Sequence, residues 1–315
     1  MSDTVPQGGH QLGTRLAVGG LATAAVSGLF WMDAHREGHL GLLLLTLAAV
    51  PMALAEFYAL AERLGHHPMH RLGILLGAAL TALHWASFQP DLPEGLHWLP
   101  KNPAPLCWLL LLALCFLALL RRPMAERKME DVALTLLGWA YLWLPISYGI
   151  LLRTEPAFAA GGTLLGGLLG TKADTGQAGQ AALAFALAAA KGSDIVAYFV
   201  GSRLGRNPLA PTVSPKKTWE GLGGAVIGGA LFGWGVAHWW PALPAGELPA
   251  AVLGGLIGLV GQFSDLCESA LKRQASVKDS GNIPALGGML DMVDSLLLAL
   301  PVAYYGLVWI HARPL

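Results

Sequence analysis

Two stretches of the 315-residue chain crowd together carboxylates, Lys and Arg, hydroxyls and glycines: Asp194 to Gly221 and Asp265 to Ser295. That mixture can hold a metal–phosphate complex. Oxygen ligands suit Mg²⁺, cations and hydroxyls meet phosphate oxygens, and glycine lets the backbone come close. Asp291 and Asp294 are three apart and share a helix face, which Ser295 joins. Two like charges side by side repel, and a bridging cation removes the repulsion. Asp265, Ser269 and Lys272 follow one another at i, i+4 and i+7 on a second face. Ser214 to Gly221 leads into an apolar run. There Pro215 fixes a turn, Ser214 and Thr218 offer hydroxyls, and Lys216 and Lys217 offer charge. A helix N-terminus at that point would add a partial positive charge. The plainer readings are a basic membrane edge with Trp219 as interfacial anchor, and Lys272-Arg273 as a lipid headgroup anchor.

The elements that position these residues belong in lipid. Charged residues are 13% of the chain, against ~25% in an ordinary soluble protein, and hydrophobic residues are 54%. Lys plus Arg and Asp plus Glu are 20 each, so the formal charge is zero. This excludes a disordered chain, a collagen-like chain and a nucleic-acid binder relying on bulk positive charge, and it argues against a soluble enzyme. A bilayer helix needs ~20 mostly apolar residues. By that measure nine spans are expected, at 13–31, 39–61, 72–89, 104–120, 132–151, 180–201, 219–239, 248–266 and 289–310. The expected fold is therefore an all-α polytopic bundle of about nine transmembrane helices. The first apolar run lacks a basic leader and reads as a retained helix. Residues 1–151 form N-terminal helices that act as scaffold and offer lipid access. Residues 152–179 form a Gly-rich loop or re-entrant piece, and 180–315 carry the motif loops.

Lys and Arg gather in the loops near 62–71, 121–131, 202–218 and 267–288, which places those loops in the cytoplasm and the C-terminus outside. Glu56, Asp194, Glu220, Asp265, Asp291 and Asp294 lie inside or at the ends of apolar spans. A charge at the bilayer centre costs ~2.5–3.5 kcal/mol, so each needs a partner or a function. Three cysteines, Cys107, Cys115 and Cys267, make no disulfide framework. His66, His67 and His70 read as a solvated loop.

The motifs resemble those of the phosphatidate cytidylyltransferases (CDP-diacylglycerol synthases). Ser214 to Gly221 is identical to that family's Ser-Pro-Lys-Lys-Thr-Trp-Glu-Gly. Asp194, Ala197, Tyr198 and Gly201 fit a second motif. Asp265, Leu266, Glu268, Ser269, Lys272, Arg273, Lys278, Asp279 and Gly281 fall on the first part of its signature. Pro284, Gly287, Gly288, Leu290, Asp291, Asp294 and Ser295 fall on the second. Weaker similarity reaches Glu56-Phe57-Tyr58. Leu286 and Met292 stand where the family usually has His and Arg, and Ala285 replaces a Gly. Lys191, three residues before Asp194, is an additional intramembrane cation that would supply some of the positive charge lost at position 292.

The resemblance implies transfer of the cytidylyl group of CTP to phosphatidate, with Mg²⁺ and room for a second cation. Asp265, Asp291 and Asp294 would be metal ligands, with Asp194 and Asp279 in supporting or nucleotide contacts. Lys216, Lys217, Lys272, Arg273 and Lys278 would clamp phosphates. Ser214, Thr218, Ser269 and Asn282 would hydrogen-bond phosphate oxygens, and Gly287 and Gly288 would admit backbone N–H groups. The implied partners are CTP, phosphatidate, membrane lipid and a second copy in a homodimer, with no nucleic acid. The implied location is the inner (cytoplasmic) membrane with the site facing the cytoplasm. A cytidylyltransferase for a polyprenyl or phytyl phosphate and an inactive relative are the near alternatives. An ion-coupled transporter is the alternative of another class; motifs clustered at span ends, without an inverted repeat, speak against it.

Overall fold

The computed structural model describes residues 40–89, 104–124, 128–154, 175–281 and 287–312, with a few residues between 24 and 33. The expected first span at 13–31, most of the Gly-rich loop, and Asn282 to Leu286 lie outside the described residues. Eight apolar runs fold as helices: α1 (Leu40–Arg63), α2 (His70–Ala86), α3 (Ala104–Leu120), α4 (Met129–Gly138) continuing through a π-turn at Trp139–Trp143 into α5 (Leu144–Thr154), α6 (Thr175–Leu204), α7 (Trp219–Trp239), α8 (Glu247–Gln274) and α9 (Met289–His311). Six of these segments are long and apolar enough to cross a membrane, counting Met129–Thr154 as one. The helices at 70–86 and 104–120 have 17 residues each and are shorter. The protein is a helical membrane protein.

All-α needs one amendment. Pro208–Ala210 and Ser214–Thr218 pair as a two-stranded antiparallel ribbon, β1 and β2, with Pro208 opposite Thr218 and Ala210 opposite Ser214. Ser214 to Thr218 is thus extended, and α7 begins only at Trp219. Pro215 favours this, because proline disfavours the α region for the residue before it and has no N–H to give a helix.

Two buried cores flank the motif residues. One joins α1 to α9 around Trp139 and Trp143, whose rings stack 5.3 Å apart. Their indole N–H groups donate to the Gly73 carbonyl at 2.9 Å and to Thr81 Oγ1 at 3.2 Å. The other lies under α6, whose Ala181, Ala182, Ala186, Ala189 and Ala190 are all fully buried. α7 and α8 approach each other backbone to backbone. A Cβ on Gly229 would strike the backbone of Gly254, and one on Gly254 would strike Gly229. In lipid, where apolar surface drives no association, such small-residue contact is what holds helices together. It brings the ends of α6, α7, α8 and α9 side by side.

Candidate active site

A cavity of about 700 Å³ opens among these helix ends. Lys191, Asp194 and Tyr198 enter it from α6, and Lys216, Lys217 and Thr218 from β2. Gln262 and Asp265 come from α8, and Asp291 and Asp294 from α9. The two motif stretches thus meet across one space.

The ribbon is pinned before it reaches the cavity. Glu220 accepts from the backbone N–H groups of Arg206 and Asn207, at 3.1 and 3.3 Å, and from Asn207 Nδ2 at 2.7 Å. Thr218 caps α7 by accepting from Gly221 N at 3.1 Å. From that frame Lys217 reaches Asp265 Oδ2 at 2.7 Å and the Gln262 carbonyl at 3.3 Å. Lys216 is exposed at the cavity edge.

On α8 the spacing of Asp265, Glu268, Ser269 and Lys272 aligns all four on one face. Ser269 Oγ donates to Asp265 Oδ1 at 3.3 Å. Lys272 lies between two carboxylates, 2.6 Å from Glu268 Oε2 and in direct contact with Asp291 Oδ1. The helix ends with Ser276 at φ +58° and with Val277 N donating to the Lys272 carbonyl at 2.9 Å, a Schellman-type stop. The chain turns back there, and Ser280 meets α9.

At α9 the Asp291 carboxylate reaches back to the helix start. Its Oδ2 accepts from Gly288 N at 2.7 Å and from Ser280 N at 2.9 Å. Gly287 has φ +83°, a left-handed conformation that glycine tolerates best. A Cβ on Gly288 would run into Ser280, Glu56 and Gly281 N. Gly288→Ala is therefore expected to cost about 1–3 kcal/mol by overpacking, read as a lowered midpoint of thermal unfolding in detergent.

Deeper in the cavity Asp194 accepts from Gln262 Nε2 at 2.8 Å and from Ser295 Oγ at 2.9 Å. Lys191 Nζ donates to Ser295 Oγ at 2.9 Å and to the Met292 carbonyl at 3.0 Å, and stands 3.7 Å from Asp194 Oδ2. Lys191 thus ties α6 to α9 through the Met292 carbonyl and the Ser295 hydroxyl.

Asp265, Glu268 and Asp294 each bring a carboxylate oxygen within 4.8 Å of the other two. Glu268 is fully buried, and among the described residues its Oε1 has no hydrogen-bond partner. A buried carboxylate oxygen left unpaired beside two more carboxylates is costly unless a cation joins them. The donor set is all oxygen, which fits a hard divalent ion.

The chain belongs to the cytidylyltransferase family, whose model matches residues 13–310. It is similar to the phosphatidate cytidylyltransferase of Synechocystis, at 45% identity over 121 residues, which is 37% of this chain and 39% of the relative. The protein of that name from Pseudomonas aeruginosa is 43% identical over 119 residues, 38% of this chain and 44% of the relative. That from Chlamydia pneumoniae is 40% identical over 128 residues, 38% and 40% respectively. The matched stretch thus spans about two fifths of each relative's length.

Against the sequence-derived set, the fold unites Asp194, Lys216, Lys217, Thr218, Asp265, Asp291 and Asp294 at the cavity, with Lys272 and Ser269 immediately behind it. Ser214 opens β2 at some remove from the lining. Arg273 turns away, donating to the carbonyls of Val213 and Val277 at 3.2 and 3.1 Å, and so ties the ribbon's turn to the loop after α8. Lys278 and Asp279 are exposed in that loop. The N–H of Gly288 is spent on Asp291. Gln262 and the role of Glu268 were missed. Glu268 sits three residues after Asp265, just past the apolar run 248–266, and that spacing was the available signal.

Proposed function

We propose that the chain transfers the cytidylyl group of CTP to phosphatidate, giving CDP-diacylglycerol and pyrophosphate, at the cytoplasmic face of the inner membrane. The observation that carries this reading is the convergence of the β2 lysines with Asp265 and Asp294 on one cavity at the helix ends, with the buried Glu268 beside them. Family membership and the named relatives support the same chemistry.

A phosphate oxygen of the lipid forms a bond to the α-phosphorus of CTP, and the bond from that phosphorus to the β-phosphate bridging oxygen breaks. The lipid phosphate is already anionic, so the step needs no strong base. It needs two polyanions held in line. Lys216 and Lys217 clamp phosphate oxygens, and Lys191 adds charge from the membrane side. Thr218, held as the cap of α7, keeps the ribbon aimed. Asp265, Glu268 and Asp294 would hold Mg²⁺, with Asp291 orienting Lys272 beside them. When bound, the ion supplies Lewis-acid charge to phosphoryl oxygens and to the leaving pyrophosphate. Tyr198, Leu209 and Leu222 line the cavity too and give it an apolar rim on which acyl chains could rest. The wider topology proposed is nine spans with the motif loops cytoplasmic, residues 1–151 as scaffold and 180–315 as the catalytic region. A second copy in a homodimer belongs to the same proposal.

Purified protein in mixed micelles should convert labelled CTP to an organic-soluble product when given phosphatidate, and EDTA should abolish the reaction. A higher rate with polyprenyl or phytyl phosphate would reassign the acceptor. No turnover with any lipid phosphate, alongside solute uptake by proteoliposomes, would sink the enzyme reading. Lys217→Ala should raise the KM for a phosphate substrate about 10-fold, the worth of one charge-assisted hydrogen bond. Unchanged KM and kcat would assign Lys217 to the membrane edge instead.

A further inference from the structure

Glu56 lies on α1, more than 200 residues from the motif it touches, and does not line the cavity. Its carboxylate accepts from the first backbone N–H groups of α9: Oε1 takes Met289 N at 2.8 Å and Oε2 takes Leu290 N at 2.8 Å. The same Oε2 faces Ser280 Oγ at 2.7 Å, and that hydroxyl also lies 2.9 Å from Asp291 Oδ2. A helix leaves its first four N–H groups without intrahelical partners. Here two carboxylates, Glu56 and Asp291, take three of them. The fit is tight: a Cβ on Gly281 would lie 2.5 Å from Glu56 Oε1.

We propose that Glu56 is a positioning residue of the site: from the N-terminal half it clamps Ser280 and the start of α9 together, and so fixes where Asp291 and Asp294 stand. Asp291 reaches Lys272 with one oxygen and the helix start with the other, so a shift of that start moves the whole constellation. Asp294 follows on the same helix, one turn later. The negative charge of Glu56 also suits the positive end of the α9 dipole. Neutralising it as Glu56→Gln keeps the shape. The amide then turns an NH₂ toward a backbone N–H or the Ser280 hydroxyl, and one acceptor is lost.

This rests on the carboxylate trio holding a divalent ion, so the test reads the ion itself. Mn²⁺ binding to the purified full chain in detergent is followed by electron paramagnetic resonance, beside turnover in micelles. Changes to groups that orient metal ligands typically weaken binding 10- to 100-fold. Glu56→Gln is expected to raise the Mn²⁺ dissociation constant about 10-fold and to lower kcat while leaving the KM for CTP within about 2-fold. Ser280→Ala removes the shared hydroxyl but keeps both backbone bonds, and should move the Mn²⁺ constant in the same direction by less. Unchanged Mn²⁺ affinity in Glu56→Gln overturns the inference. If that variant does not fold, unchanged affinity in Ser280→Ala overturns it. A wild-type chain that binds Mn²⁺ but transfers no cytidylyl group would sink the proposed reaction and leave the positioning role standing. A wild-type chain that transfers but shows no Mn²⁺ signal would sink the positioning role as drawn.

Discussion

Asp294→Asn is expected to lower cytidylyl transfer by at least ~10²-fold while the protein stays folded. The exchange conserves volume and removes one negative oxygen from the trio that Asp294 forms with Asp265 and Glu268. Initial rates in mixed micelles, beside size-exclusion elution and a thermal melt in detergent, separate loss of chemistry from loss of fold. Asp291→Asn should fall as far in rate but should also lower the melting midpoint. Its carboxylate holds Lys272, Ser280 and the Gly288 N–H together, and an amide cannot accept from all of them. If Asp294→Asn keeps a rate within about 3-fold of wild type, the trio is not where the reaction's charge is held.

Lys272→Met should have the largest effect on stability. The lysine is almost completely buried and joins Glu268 to Asp291. Methionine keeps the apolar stem, so the lost quantity is the charge. Removing one partner of a buried ion pair leaves the other uncompensated, at a cost of about 3–5 kcal/mol. Two carboxylates would then be left without their shared cation. The melting midpoint in detergent should drop by several degrees, and turnover should fall with it. A melt unchanged from wild type would mean that Lys272 contributes charge to substrate only. The double variant Lys272→Met, Glu268→Gln should recover part of the midpoint, because the worst uncompensated charge goes too.

The long helices were legible because a bilayer imposes a simple rule on sequence: runs of ~20 apolar residues. The runs expected at 39–61, 219–239 and 289–310 fall almost residue for residue on Leu40–Arg63, Trp219–Trp239 and Met289–His311. The ribbon was not legible. Ser-Pro-Lys-Lys-Thr reads as a basic membrane edge, and five residues of strand leave no periodic signal beside helices of over 20. The site was legible where spacing within one helix decides the outcome, as for Asp291 and Asp294 or for Asp265, Ser269 and Lys272. It was illegible where partners come from different helices. Nothing local in Lys217 says that it meets Asp265 rather than solvent, and nothing in Glu56 says that it caps a helix beginning at Met289. Glu268 falls between these cases: its spacing was visible, but only its complete burial marks it out.

In the proposed reaction one cavity breaks CTP between its α- and β-phosphates and joins the α-phosphate to a lipid phosphate. Parallel reactions of the purified chain with phosphatidate and CTP labelled at either the α- or the γ-phosphorus test it most directly. The expected result is α-label in the organic phase, γ-label in aqueous pyrophosphate, and neither transfer with EDTA present. Label from the γ-phosphorus appearing in lipid, or α-label remaining entirely aqueous, would contradict it.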